Sequence, residues 1–314
     1  MSTTEQRYNF LTVGPVSWDT NIRTGLNNLS QLEEIHFVPQ QIIEHAGGVA
    51  LNNAAALNTL LGQIAFCGVT GKDIYGDSAR SQIQEMGIDA GNLRQDLDQT
   101  SRSVVMLTND GEKHILNDPK AMPDYHYPEE QFRDVIVKTP WAYFSVANFS
   151  RYLLPIAREY NVQTVTDLQS IDRIETKHVD HLRNANILFA NSGSLKTPLP
   201  DFIKDVWSYG PSIVIVTHGP QGVTVGIKEN EQVKSYKVLP AEQIIDTTGA
   251  GDSFAAAFCA CISQGLPVEE SVTKALIFSS KKIGVQGSIY GMTSMNEINQ
   301  LYEHMLLGSN QDWV

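Results

Sequence analysis

Short apolar runs recur along the chain, each followed by a longer stretch whose apolar positions repeat at helical spacing. The runs at 8–13, 64–67, 141–146, 162–166, 187–190 and 213–217 are rich in Val, Ile, Leu, Phe and Tyr with little polar alternation. Such runs suit strands buried on both faces. Helical spacing occupies 49–61, 76–86, 129–137, 151–159, 177–183 and 199–209, and further helices follow at 250–263, 268–282 and 294–307. The alternation predicts an α/β fold with a mostly parallel central sheet between two helical layers, a three-layer α/β/α arrangement. In such sheets ligands bind beyond the carboxyl ends of the strands. Two segments leave this rhythm. Residues 20–45 are polar with weak alternation. Residues 101–118 read as a hairpin: Ser103-Val-Val-Met-Leu107, a turn at Asn109-Asp-Gly111, then Lys113-His-Ile-Leu116. Together they predict a small β lid on the main body. No repeat, low-complexity tract or linker divides the chain, so residues 1–314 are expected to form one domain.

Composition narrows the function. A length of 314 residues suffices for one large α/β domain. The formal net charge of −12 argues against nucleic acid as a partner, because phosphate backbones need a basic surface. Three cysteines, Cys67, Cys259 and Cys261, lie in apolar surroundings without metal-type spacing, which predicts reduced thiols. The first nine residues are polar, and no apolar run approaches the ~20 residues of a membrane span. A cytoplasmic protein without a membrane partner is expected.

The chemistry concentrates in Asp246-Thr-Thr-Gly-Ala-Gly-Asp252-Ser-Phe254. Gly249 and Gly251 let backbone amides crowd at the start of a helix. Such a helix start holds anions, since its first N–H groups lack partners and carry a partial positive charge. Ala250 and Gly251 are the amide donors, and Asp252 places a base among them. An anion cradle with a base is what phosphoryl transfer to a hydroxyl requires. In isolation the same Asp252 reads as a first-turn acid that stabilises a helix. Two other nucleotide motifs are excluded. Gly71-Lys72 lacks the first P-loop glycine, with Phe66 in its place, and Asp73 stands where Ser or Thr would meet magnesium. Gly249-Ala-Gly251 lacks the third dinucleotide-binding glycine and lies far from the first βα unit.

The stretch 246–254 resembles the C-terminal signature of the ribokinase-like (PfkB) carbohydrate kinase family, and the resemblance runs through nearly the whole chain. Val13-Gly14 with Asp19 is similar to the family's first strand and sugar-binding aspartate. Gly47-Gly48-Val-Ala-Leu-Asn52 resembles its sugar-site helix start, and Gly68-Val-Thr-Gly71-Lys-Asp73-Ile-Tyr-Gly76 the element after it. Thr217-His-Gly219-Pro-Gln-Gly222 resembles its turn beside the nucleotide phosphates. The resemblance implies ATP-dependent phosphorylation of a primary sugar hydroxyl, with ATP and Mg2+ required. It implies Asp252 as base and Gly249, Ala250 and Gly251 as anion hole. Asp19, Gly47, Gly48 and Asn52, with Asn117 at the lid hairpin's end, would meet the substrate. Asn191, Thr217, Gly219 and Gly222 would lie beside the nucleotide.

Family members that bind a monovalent cation supply oxygen ligands from a loop like 246–248. The resemblance thus implies Asp246 and Thr248 as ligands of an activating K+, against their plain reading as turn formers. Two departures stand out. The family's Asn-x-x-Glu, whose Glu organises water around magnesium, is here Asn191-Ser-Gly-Ser194, and Asp167-Leu-Gln169 replaces Asp-x-Asn. Lys281-Lys-Ile-Gly-Val-Gln-Gly287 resembles the matching segment of animal ketohexokinases, which points towards a ketohexose, with pentoses the other sugar class. The alternatives are a nucleoside kinase of the adenosine or pseudouridine class, with Phe37, Met106 and Met122 as a wall for the base, and a non-catalytic sugar-binding relative. A small sheet with an exposed face also suggests a homodimer through the lid.

Overall fold

A computed structural model of the chain describes residues 7–109 and 113–308. In chain order its elements are β1 (Phe10–Val13), β2 (Ser17–Arg23), β3 (Ile42–Gly47), α1 (Val49–Leu61), β4 (Ile64–Gly71), α2 (Ile74–Glu85), β5 (Asp89–Leu97), β6 (Ser101–Leu107) and β7 (Lys113–Asp118). Then come α3 (Glu129–Ile136), β8 (Trp141–Ser145), α4 (Asn148–Glu159), β9 (Gln163–Ser170), α5 (Thr176–Asn184), β10 (Ile187–Asn191) and α6 (Leu199–Tyr209). The order closes with β11 (Ile213–Thr217), β12 (Val223–Ile227), β13 (Gln232–Tyr236), α7 (Ala250–Ser263), α8 (Val268–Lys282) and α9 (Met295–Gly308).

The large sheet has nine strands in the order β13-β12-β11-β10-β9-β8-β1-β4-β5. From β11 to β5 every pairing is parallel, while β12 and β13 are added antiparallel at one edge. Successive strand residues point to opposite faces, which explains the unbroken apolar runs. Along β10, Ile187 and Phe189 join the cluster formed with α1, α7 and α8, whereas Leu188 and Ala190 pack with Phe202 and Val206 of α6. Along β8, Tyr143 faces the first layer, while Ala142 and Phe144 face α3 and α4 on the other. The helices thus cover both sheet faces as expected. Among the described residues no helix is long and apolar enough to cross a membrane.

Three strands lie outside the sequence expectation: β5, β12 and β13. All are polar or interrupted. The pairing of β4 with β5 shifts register twice, which breaks the period of two in Asp89–Leu97. β13 is exposed along nearly its whole length, as an edge strand is free to be.

The second sheet has the order β3-β2-β6-β7. β2 leaves β1 after a three-residue link, Gly14-Pro15-Val16. It pairs antiparallel with β3 and parallel with β6, and β6 pairs antiparallel with β7 in a register that sets Ser103 opposite Asn117. Of the expected hairpin turn, Asp110 and Gly111 lie outside the described residues. β2 begins at Ser17 and β3 ends at Gly47, so this sheet reaches slightly beyond 20–45.

Candidate active site

The order of the large sheet reverses between β1 and β8. The chain passes from β1 to β4 on one side and from β8 to β9 on the other. Crossover helices diverge at such a point and leave a crevice at the carboxyl ends of the strands. A cleft of about 670 Å³ opens there, between the ends of β1, β8, β9 and β10 and the small sheet. Asp19, Gly48, Asn52, Asn117, Asn191, Thr217, Thr248, Gly249, Gly251 and Asp252 all line it, though they come from six separate parts of the chain.

Asp252 sits in the first turn of α7. Gly249, the residue before the helix, has φ of 76°, a left-handed conformation that costs a side chain free energy. A Cβ there would also lie 2.9 Å from the Ser288 carbonyl oxygen. The Ala250 amide donates to the Thr247 carbonyl at 3.2 Å, so it serves the turn. The amides of Gly251 and Asp252 have no helical carbonyl four residues back, so they are available to an anion. A Cβ at Gly251 would meet no atom within 4 Å, so ligand oxygens have open access to that backbone.

The Asp252 carboxylate accepts a hydrogen bond from Asn52 Nδ2 at 2.7 Å, and Asn53 Nδ2 reaches the Asp252 carbonyl at 3.4 Å. Asn52 Oδ1 in turn accepts from the buried Ser288 hydroxyl at 2.8 Å. Asn52, expected at the sugar, therefore also holds the Asp252 carboxylate. Burial pushes the Asp252 carboxyl up to about 7; the Asp167 carboxylate adds to this, while Asn52, Lys113 and Lys282 oppose it. Asp252 keeps some contact with cleft solvent, which screens part of the burial effect until a ligand expels that water.

On the opposite wall Asp19 is 7% exposed, and its Oδ1 accepts from Ser17 Oγ at 2.6 Å. Burial raises its carboxyl above the usual range; hydrogen bonds from Ser17 and Ser103 and the field of His45 pull back. Gly47 lies against this carboxylate rather than in the cleft wall: a Cβ on it would fall 2.0 Å from Asp19 Oδ2. Asn117, on β7, accepts from Ser103 Oγ at 3.2 Å.

At the other end Asn191 Nδ2 donates to Thr217 Oγ1 at 3.1 Å, and Asn191 Oδ1 accepts from the Gly193 amide at 2.8 Å. Gly219 and Gly222 occupy the turn between β11 and β12, outside the cleft lining. Ser194 Oγ accepts from Ser170 Oγ at 3.1 Å. These groups are neutral, and the described residues contain no cluster of three or more His, Cys, Asp or Glu suited to a metal ion. They fit magnesium that arrives on nucleotide phosphates and keeps most of its water. The hydroxyls of Ser170 and Ser194 and the Asn191 amide would accept or donate to those waters.

The carbonyls of the 246–248 loop fit a second cation less well. Lys282 is fully buried, and its Nζ donates to the carbonyl of Thr248 and, at 3.5 Å, to that of Asp246. The Asp246 carboxylate is occupied too, accepting from the amides of Thr248 at 2.7 Å and Gly287 at 2.8 Å.

Several site residues escape sequence reasoning. Asp167, at the cleft floor, is fully engaged: Tyr143 Oη donates to it at 3.1 Å and the Gln169 amide at 2.7 Å. Burial raises its carboxyl. Ser17, Ser103 and Lys113 also face the cleft. Polar residues at alternate positions of β2 and β6 were the available signal for the two serines. Lys282 offered none, because a lysine ending a helix normally reads as solvated. Of the three residues suggested as a nucleobase wall, Met122 lines the cleft, Met106 does not, and Phe37 is 84% exposed.

Comparison with known proteins identifies the family and the fold. The family described as pfkB family carbohydrate kinase matches residues 15–295. An ATP-dependent ribose-1-phosphate kinase of Halopiger xanaduensis is 28% identical over 282 residues, covering 88% of this chain and 93% of the relative. A ribokinase of Bacillus subtilis is 24% identical over 269 residues, covering 81% and 87%. Among solved structures, a microbiome-derived acarbose kinase superposes with a TM-score of 0.84 at 24% identity, covering 96% of this chain and all of the other. Arabidopsis thaliana ribokinase complexed with ribose and ATP gives 0.78 at 22% identity, covering 94% and 99%.

Proposed function

The chain belongs to the pfkB family of carbohydrate kinases, and from that premise we propose that it transfers the γ-phosphoryl group of ATP to a primary hydroxyl of a ketohexose or pentose. The observation that carries this reading is Asp252, set at a helix start beside the open backbone of Gly251 and facing the same cleft as Asp19. A sugar bound by Asp19, Asn117 and the Gly48 backbone would present its hydroxyl to Asp252. The carboxylate accepts the hydroxyl proton as the sugar oxygen bonds to the γ-phosphorus and the bond to the ADP oxygen breaks. The amides of Gly251 and Asp252, with the α7 dipole, face the charge on the transferred group. Magnesium, when bound with the nucleotide, neutralises phosphate charge.

The small sheet acts as a lid in this reading. Ser101, Ser103, Val105 and Ile115 of β6 and β7 line the cleft, so closing it removes water that would otherwise accept the phosphoryl group. Ile42 and Leu116, on the face of this sheet turned away from the cleft, are each more than half exposed. A second copy covering that face, as a lid-to-lid homodimer, belongs to the same proposal.

A nucleoside acceptor is the second reading, favoured by the apolar patch of Val105, Ile115 and Met122 in the cleft. The test is ADP release with fructose, ribose, ribose 1-phosphate, adenosine and pseudouridine as acceptors. Turnover with a sugar at least about tenfold above the nucleosides supports the proposal. Turnover confined to nucleosides would sink it.

A further inference from the structure

Lys282 ends α8 and is fully buried, an unusual place for an ammonium group. A buried charge persists only where partners replace its lost water. Here those partners are main-chain carbonyls of one loop, Thr248 and Asp246. The Asp246 carboxylate binds the same assembly from the other side through the amides of Thr248 and Gly287. The loop leads directly into Gly249 and the first turn of α7, where the anion donors and Asp252 lie. Loop position is therefore anion-hole position. Carbonyl oxygens around a monovalent cation are what a K+ site consists of. In this chain the cation is covalently attached, and a K+ entering the same carbonyls would meet a like charge at contact distance.

We propose that the Lys282 ammonium is a built-in monovalent cation, which fixes the 246–249 loop and makes this protein indifferent to K+ and Na+. Lys282 is then a positioning residue, acting on phosphoryl transfer through the amides of α7. The kinetic consequence rests on the kinase reading; the effect of cations on folding stability does not.

The test compares the full-length protein in potassium, sodium and tetramethylammonium chloride at a fixed ionic strength of about 0.1 M. Wild type is expected to show kcat values agreeing within about twofold and the same melting temperature in all three salts. Lys282→Ala should lose roughly 10²-fold in kcat in tetramethylammonium, since small displacements of reacting groups cost that much, with little change in sugar KM. Potassium should then restore most of the loss and raise the variant's melting temperature; tetramethylammonium, a far bulkier cation, should do neither. Lys282→Met, which fills the space with apolar atoms, should be poorly active and deaf to every cation.

Activation or thermal stabilisation of wild type by K+ overturns the proposal, as does full Lys282→Ala activity in tetramethylammonium. Loss of activity that no cation rescues also overturns it, leaving a packing role. If Lys282→Ala does not fold, the wild-type salt series still decides. If no acceptor is phosphorylated, the kinase reading fails while the melting temperatures judge the cation.

Discussion

Replacing Asn52 by Leu should move the pH dependence of the reaction without removing the base. Asn52 Nδ2 donates to Asp252 Oδ2 at 2.7 Å and so favours the ionised carboxylate. Burial and Asp167 work against it, and the balance leaves the carboxyl at about 7. A hydrogen bond to a charged group contributes roughly 1.5–3 kcal/mol. Each pH unit corresponds to about 1.36 kcal/mol, so losing the bond should carry the ascending limb of log kcat/KM upward by about one to two pH units. The sign follows from the role: protonated Asp252 cannot accept the hydroxyl proton, so activity rises with pH as the carboxyl ionises. At pH 7 the ionised fraction would fall from about half to between about one tenth and one hundredth. The assay is kcat/KM by ADP release from about pH 5 to 10, for wild type, Asn52→Leu and Ser288→Ala. Ser288→Ala separates two effects, since Asn52→Leu also strips the buried Ser288 hydroxyl of its acceptor and lowers stability. A limb that stays near pH 7 in Asn52→Leu, or moves to lower pH, would refute the reasoning.

Asp252→Asn should lower kcat by about 10²–10⁴ while sugar affinity changes a few-fold at most. The same variant should melt higher at pH 8. A carboxyl raised to about 7 from an ordinary value near 3.8 contributes stability at low pH that is lost as pH rises between those values. Removing the charge restores it, by roughly 2–4 °C for each kcal/mol. Unchanged melting at pH 8 would mean that cleft solvent screens the carboxylate. For the lid, sedimentation velocity should show a dimer, and Leu116→Lys should shift it to monomer; a wild-type monomer at micromolar concentration rejects the pairing.

Much of the fold was legible because its central strands are buried twice. Ile213–Thr217 packs against a helical layer on each face, so no polar residue interrupts it and the run reads as a strand without an alignment. β5 and β13 lack that signature because an edge needs only one apolar face or none. The Gly-Ala-Gly-Asp segment was legible because backbone geometry dictates composition there: Gly249 must be left-handed and Gly251 must stay open. Division of labour among the amides was not legible. Whether Ala250 or Asp252 supplies the second donor depends on the Thr247 carbonyl, which claims the Ala250 amide. Lys282 shows the limit most plainly. Its neighbours in sequence suggest an ordinary basic helix end, while its partners are carbonyls more than thirty residues away.

The hydrogen bonds around the base also bear on how the protein comes into being. Asp252 is held by a residue 200 positions earlier in the chain, and that residue is steadied by Ser288, 236 positions beyond it. Contacts of such long range form late, because closing so large a loop is rewarded only once both partners exist. During synthesis the α1 region is made some 200 residues before the carboxylate it will hold. A nascent or truncated chain can therefore fold its first strands and begin its lid while holding no competent base. Under the proposed reading, phosphoryl transfer waits until Asp252 has joined α1, and ATP meets no half-built site.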